Sequence, residues 1–491
     1  MSIGLMSFCF LLPKVIGLES DEARRHYLDY SASFLRMTQH KLYGQDNHAT
    51  VVAFEGKLNK DYFVKALKML FQAHPNLRAK KIKYDEIKER FYIDNELAFS
   101  DICFKFIEIE KEKGWREIIE KQLSQPFPFD GPYWKIYCLS IKNSQPKRHY
   151  LIQFFDHSLC DGISTAKLND EFFTYYHALS NQKKIEVVED KRPDSLATLY
   201  SQEQRCSWQN YKSKQEYLSK LYPMPPKGII YEKLSSLEER STKVILFAFE
   251  ADPICRISKA HGFSVNDFLV ATSLLALKNI QSSQETLDTS VLTSINLRNP
   301  KFGLANFINA NNLACLHNSI SQPVEIEPTS TVWSIAESYR KRLNSFIDQL
   351  ALPPVDFSID EMCERYGLNS ATERKHFARG LATSNLGRID LKKRYGDIDI
   401  IFYQFFANQG AGFFEALLGI CCIENTIYCH VRYVEPLHSR KWAIQYVSRI
   451  IHELQSVLQN ELILVESCTD KDVLDKVYSQ IENTEAEKII N

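Results

Sequence analysis

Long apolar runs are missing from this 491-residue chain. About 20 consecutive apolar residues are needed to cross a bilayer, and no stretch approaches that length, so a body without a membrane span is expected. A surplus of either charge is missing too. With 60 basic and 61 acidic residues there is no global field to draw the chain to nucleic acid or to an anionic membrane surface, and the expected partner is a small molecule or a carrier. Paired cysteines are the third absence: twelve cysteines are scattered, only Cys421 and Cys422 are adjacent, and no Cys-x-x-Cys occurs. That pattern argues against a metal site and against a dense disulfide framework, and reduced thiols suit a cytoplasmic home.

Several nucleotide and hydrolase signatures are absent as well. There is no Gly-x-x-x-x-Gly-Lys-Ser/Thr, no Gly-x-Gly-x-x-Gly after a strand, no His-Glu-x-x-His and no Gly-x-Ser-x-Gly. Gly410-Ala411-Gly412 is the nearest approach to a glycine loop and is too short to be one. The N-terminal stretch Ile3–Leu12 is apolar but brief, lacks a basic lead and is interrupted by Pro13, so it reads as a packing segment or a mis-chosen start rather than a signal peptide.

What is present is the composition of a globular protein, 44% hydrophobic and 25% charged, long enough for two domains. Charged and proline-rich segments divide it. Residues 1–180 form a first lobe, 181–228 a polar connector closing at Pro223-Met224-Pro225-Pro226, 229–467 a second lobe, and 468–491 a peripheral tail rich in both charges. Each lobe mixes strands with helices.

The chemistry concentrates in Phe154-Phe155-Asp156-His157-Ser158-Leu159-Cys160-Asp161-Gly162. The run His149–Phe155 has the aromatic and β-branched content of a buried strand, and residues 163–173 carry an apolar helical face. His157 thus sits on a strand-to-helix connection, where a scaffold can hold a side chain toward a cleft. An imidazole, with an ordinary pKa near 6.5, can take a proton from an alcohol or amine as it attacks a carbonyl. Asp161 would either fix the loop or pair with an arginine, and Gly162 would let the chain turn sharply, with positive φ if required. Cys160 reads as a small apolar contact beneath the loop rather than a nucleophile.

Other segments fall into order around this one. Upstream, an amphipathic helix over 61–73 leads into His74-Pro75-Asn76-Leu77-Arg78, and Phe129-Asp130-Gly131-Pro132 precedes the active strand. Downstream, Ser264-Val265-Asn266-Asp267 has the form of a capping box opening an all-apolar helix, and Val291–Leu297 reads as a strand ending at Arg298. Later comes Leu381-Ala382-Thr383-Ser384-Asn385-Leu386-Gly387-Arg388-Ile389.

Together these segments resemble the CoA-dependent acyltransferase superfamily, which includes chloramphenicol acetyltransferase, alcohol acetyltransferases, polyketide-associated acyltransferases and condensation domains of peptide synthetases. The resemblance covers about residues 20–460. Its signature is His-His-x-x-x-Asp-Gly with the second histidine as general base; here His157, Asp161 and Gly162 match, and Asp156 replaces the first histidine. The resemblance implies an α/β fold of two chloramphenicol acetyltransferase-like sandwich lobes, arranged as a V-shaped pseudo-dimer with the active site at the interface. It implies a structural ion pair between Asp161 and Arg298. It places the strand that the second lobe lends to the first at Leu381–Ile389, with Thr383, Ser384 and Asn385 as oxyanion or substrate contacts.

The expected activity is acyl transfer to a small alcohol or amine acceptor. The donor would be acyl-CoA or an acyl-phosphopantetheine on a carrier protein supplied in trans, with no permanently bound cofactor and a monomeric chain. Asp156, a carboxylate next to His157, is expected to raise the imidazole pKa by favouring its charged form. It is also the one visible argument for the alternative, an inactive relative kept as a binding or docking module.

Overall fold

The computed structural model describes residues 26–42, 47–88, 90–128, 130–190, 196–223, 231–282, 284–302, 304, 312–368, 380–410 and 414–479. The N-terminal apolar segment, Phe129, the proline-rich close of the connector after Pro223 and the second half of the 410–412 glycine pair lie outside them.

Among the described residues, strand-forming runs assemble into two six-stranded sheets and a small three-stranded one. In the first large sheet the spatial order is Arg394–Tyr395, Ile398–Ala407, His48–Glu55, Arg148–Phe155, Trp134–Ile141 and Cys103–Ile109. In the second it is His317–Ile326, Leu287–Asn296, Leu381–Arg388, Ala416–Ile423, Thr426–Glu435 and Ser241–Glu250. Arg148–Phe155 lies at the centre of the first sheet and is buried from His149 onward, which is why its residues do not alternate between apolar and polar as a half-exposed strand would.

Helices cover the first sheet on both faces. Asn59 caps Lys60–Ala73 by accepting from the N–H groups of Asp61 and Tyr62. This helix packs beside Gly162–Ser180, where Phe63 meets Phe172 edge to face at 4.9 Å between ring centroids. On the other face Gly114–Leu123 presents Trp115, stacked on Tyr150 of the central strand. The helix after His157 runs on to Ser180, beyond the expected end at 173, because Tyr175, Tyr176 and Ala178 continue its buried face.

The second lobe is built on Val265–Gln281. Ser264 accepts from the Asp267 N–H at 3.1 Å while the Asp267 carboxylate accepts from the Ser264 N–H at 3.0 Å, closing the capping box. Val332–Leu350 and Arg440–Leu458 pack against this helix and leave most of it buried. Among the described residues no single helix is long and apolar enough to cross a membrane. After the second lobe, Asp470 accepts from the Leu246 N–H at 3.0 Å and pairs with Arg116. Val473 and Val477 of the following helical turns are buried.

The exchange between lobes differs from the expected one. Leu381–Arg388 does not cross: it runs parallel to both Leu287–Asn296 and Ala416–Ile423 inside the second sheet. The lent strand is the later Ile398–Ala407, which pairs antiparallel with His48–Glu55 from Asp399 opposite Glu55 to Ala407 opposite His48. The physical reason is cover. Ile398–Ala407 is apolar on both faces and needs packing on both sides, whereas Leu381–Arg388 becomes polar and exposed toward its end. Phe406 is fully buried between Trp115 of the first lobe and His430 of the second.

Removing that side chain should therefore loosen both lobes together. Phe406→Ala is expected to cost about 3–5 kcal/mol, read as a lower denaturation midpoint that tryptophan fluorescence and far-ultraviolet circular dichroism report at the same denaturant concentration. Two separated transitions, with the second lobe unaffected, would show that the strand does not couple the lobes.

Candidate active site

The strand Arg148–Phe155 ends at the seam between the lobes, and sheet register decides what stands beside it. His48 is directly opposite Phe155 on one side, Trp134 on the other, and Ala407 lies opposite His48. This end of the first sheet, with His157 just beyond it, forms one wall of a cavity. The second lobe supplies the facing wall: Ser294 and Asn296, His317, Ser384 and Asn385, and Arg432.

The loop carrying His157 is pinned at every turn. The Asp156 N–H donates to Tyr133 O and the Leu159 N–H to Asp156 O, both at 3.1 Å. Asn76, from the His-Pro-Asn-Leu-Arg segment, donates to Leu159 O at 3.0 Å and to Leu313 O of the second lobe at 2.7 Å. His157 itself places Nδ1 2.7 Å from the carbonyl oxygen of Cys160. A carbonyl can only accept, so Nδ1 carries the hydrogen and Nε2 keeps its lone pair for the cavity.

Asp161 uses both carboxylate oxygens. Oδ1 accepts from the Ser164 N–H at 2.9 Å and so caps the helix Gly162–Ser180. Oδ2 accepts from Arg298 Nη1 at 2.6 Å and from the Leu316 N–H at 2.8 Å. Arg298 extends the junction, with Nη2 donating to Asn312 O and Ala314 O at 3.3 and 3.2 Å. Burial alone would push the Asp161 carboxyl up, but the Arg298 guanidinium and the Ser164 N–H outweigh it and hold it at about 2.

Gly162 serves a different end from the expected one. It opens the helix without positive φ. Its value is space: a Cβ there would stand 2.7 Å from Cδ2 of Leu386, which reaches across from the second lobe.

Asp156 also departs from expectation. Its carboxylate is turned away from the imidazole: Oδ2 pairs with Arg36, and Oδ1 accepts from the Ser158 N–H at 3.0 Å and the Ser158 hydroxyl at 2.6 Å. Both partners of the ion pair are buried, with side chains 0% and 1% exposed. Arg36 further donates to Gln39 Oε1 at 3.1 Å and sits 5.0 Å from the centre of the Tyr133 ring. The charge at position 156 is therefore answered within the first lobe and is not directed at His157.

Of the three candidate contacts on Leu381–Arg388, Ser384 and Asn385 line the cavity. The Asn385 amide is engaged, donating to Asn266 Oδ1 at 3.2 Å and accepting from the Gly387 N–H at 2.8 Å. Thr383 is not among the residues lining the cavity and is buried within the second sheet, opposite Thr293 in register. Cys160 is buried, and burial and the Asp161 charge push its thiol up, which keeps it a thiol rather than a thiolate nucleophile.

Three further residues at the site carry no signal in the sequence: Arg36, His48 and His317. Each shares its element with other polar residues, and only register and packing bring it to the site. His48 and His317 flank His157 with ring centroids 4.9 and 5.4 Å away. Burial and the neighbouring His157 hold both well below the usual imidazole range, His317 at about 4.

A two-lobed fold with a histidine presented at the seam defines a class of acyl-transfer proteins, and the comparisons agree. The family model of the condensation domain matches residues 36–299, more than half of the chain, and the chain belongs to that family. The family is one of acyl transfer, forming amide or ester bonds from thioesters. The first condensation domain of the CDA synthetase superposes with a TM-score of 0.68 at 13% identity, over 90% of this chain and 99% of that one. Polyketide synthase associated protein 5 from Mycobacterium tuberculosis gives 0.62 at 14% identity, over 89% and 99%. The starter condensation domain of rhizomide synthetase, in complex with C8-CoA and Leu-SNAC, gives 0.61 at 13%, over 91% and 97%. None of the curated proteins is detectably similar in sequence.

Two outcomes follow from the buried pairs. Arg298→Met should destabilise by about 3–5 kcal/mol by stranding Asp161. The Asp161 pKa in the fold, about 2, lies below its ordinary 3.8, so the stabilisation is complete above about pH 4 and is lost as pH falls toward 2. The denaturation midpoints of wild type and Asp161→Asn, well apart at about pH 5, should converge on acidification, and midpoints that stay equally separated would remove the ion pair.

Asp156→Asn should likewise cost about 3–5 kcal/mol, because it leaves Arg36 buried without its counter-charge. Adding Arg36→Met should recover part of the loss. Equal midpoints for the single and double variants would show that the two residues are not coupled.

Proposed function

We propose that the chain is an acyltransferase that moves an acyl group from a thioester to a hydroxyl or amine, with His157 as general base. The observation that carries this reading is the Nδ1 contact of His157 with Cys160 O, which leaves a basic Nε2 at a cavity shared by the two lobes. The acceptor X–H gives its proton to Nε2 as the new X–C bond forms, and the carbonyl electrons move to oxygen. Collapse of the tetrahedral intermediate breaks the C–S bond, and the departing thiolate takes the proton from the imidazolium.

Asp161 and Arg298 act through His157, by holding the loop and the helix behind it against the second lobe. Gly162 lets Leu386 close over that helix. Ser384 offers a hydroxyl to the substrate from the facing wall, while Thr383 and the committed amide of Asn385 take structural roles. The donor is acyl-CoA or a carrier-bound phosphopantetheine thioester, a choice supported by the starter condensation domain solved with C8-CoA and Leu-SNAC. The reaction as written requires no resident cofactor. The buried Asp156–Arg36 pair keeps the loop in place without the usual first histidine, which favours a working site over a decayed docking module.

The test is mass spectrometry of products after offering the protein acetyl-, octanoyl- and palmitoyl-CoA and acyl-carrier proteins with mixed alcohols and amines. His157→Ala should lower turnover about 100-fold or more while circular dichroism and melting stay those of wild type. A folded His157→Ala protein with wild-type turnover would overturn the assignment, and a wild type inactive with every donor would leave the binding-module reading.

A further inference from the structure

His317 starts the edge strand of the second sheet, opposite Asn296 in register, and reaches the same cavity as His157 from the other lobe. The two imidazole planes are inclined by 32° with centroids 5.4 Å apart. His48 flanks His157 on the other side, but its hydrogen is committed. The Thr165 hydroxyl donates to the carbonyls of Asp161 and Gly162, at 3.1 and 3.2 Å, so at 2.9 Å it can only accept from His48 Nε2.

His317 has the opposite arrangement. Its Nδ1 lies 3.6 Å from Cys315 Sγ. Burial and the Asp161 charge push the Cys315 thiol up, and its sulfur accepts from the His317 backbone N–H. A sulfur that keeps its proton can donate its S–H to Nδ1 across this contact, in the tautomer whose Nδ1 carries no hydrogen. The hydrogen of the neutral imidazole then sits on Nε2, the nitrogen left for the cavity.

We propose that His317 is a second imidazole of the reaction centre, whose Nε2–H donates to the acyl oxygen as it changes from carbonyl to alkoxide. This rests on acyl transfer at His157. The proton balance is unchanged: the acceptor's proton passes to His157 Nε2 and from there to the leaving thiolate, while His317 keeps its own hydrogen throughout. The groups that face His317 are His48, His157 and Asp161 from the first lobe and Arg298 and Cys315 from the second. Burial and the adjacent His157 hold its pKa at about 4, so at neutral pH it stays uncharged. A neutral imidazole can donate to the oxyanion without protonating it and does not compete with His157 for the acceptor's proton.

Two substitutions separate hydrogen bonding from packing. His317→Phe keeps a ring beside His157 but no donor, and His317→Gln keeps an N–H donor without the ring. With octanoyl-CoA, or whichever of acetyl-, octanoyl- and palmitoyl-CoA the wild type uses best, CoA release to mixed alcohols and amines is followed with a thiol reagent. His317→Phe should lower kcat by about 100-fold, the usual effect of removing one oxyanion donor, with KM little changed. His317→Gln should restore most of that loss, and its kcat/KM should keep the wild-type acid limb.

Wild-type kcat in a folded His317→Phe protein would overturn the proposal. So would His317→Gln falling as far as His317→Phe, which would mark a packing role, or losing its acid limb, which would make His317 the base. A wild type inactive with every donor removes the acyl-transfer reading and this one with it. If His157→Ala abolishes turnover and His317→Phe does not, only the present inference fails.

Discussion

Everything at the candidate site depends on the carboxylate of Asp161. One oxygen ends the motif helix and the other ties that helix to Arg298 and to the Leu316 N–H of the second lobe. A buried ion pair is a costly way to join two bodies unless its remaining lone pairs are also satisfied, and here backbone N–H groups satisfy them. The consequence is geometric. The loop that holds His157 cannot shift without breaking the junction between lobes, so the imidazole and the facing wall keep a fixed separation.

The second constraint is the shared strand. Ile398–Ala407 leaves the second lobe to complete the first sheet, and its last residues, Phe405, Phe406 and Ala407, floor the cavity. The same backbone that binds the lobes together therefore shapes the space between them. Aromatic contacts to Trp115 on one side and His430 on the other make this a packed hinge rather than a loose tether.

Asp156 shows how a departure from a motif can be absorbed. A carboxylate in place of the usual histidine would be damaging if it stood unpaired beneath the His157 loop. Arg36, on the buried helix Tyr30–Lys41, answers it. The paired charge then supports the loop through Ser158 instead of facing His157, so the effect expected from adjacency in sequence is replaced by one set by direction in space.

The local pattern was enough for the motif strand, the helices opened by Asn59 and Ser264 and the turn bearing His157, whereas the pairing of Asp161 with Arg298, across 137 positions, was implied only by the family resemblance. The strand, helices and turn depend on near neighbours: apolar runs, capping residues and the geometry of a strand-to-helix turn act over a few positions. The strand exchange, the space around Gly162, the direction of Asp156 and the presence of Arg36, His48 and His317 at the site were decided by tertiary structure. Each depends on residues far apart in the chain, as with His48 opposite Phe155 or Arg36 against Asp156. Strand order and register choose such pairs, and a histidine or arginine among the other polar residues of its element carries no local mark of what it will meet.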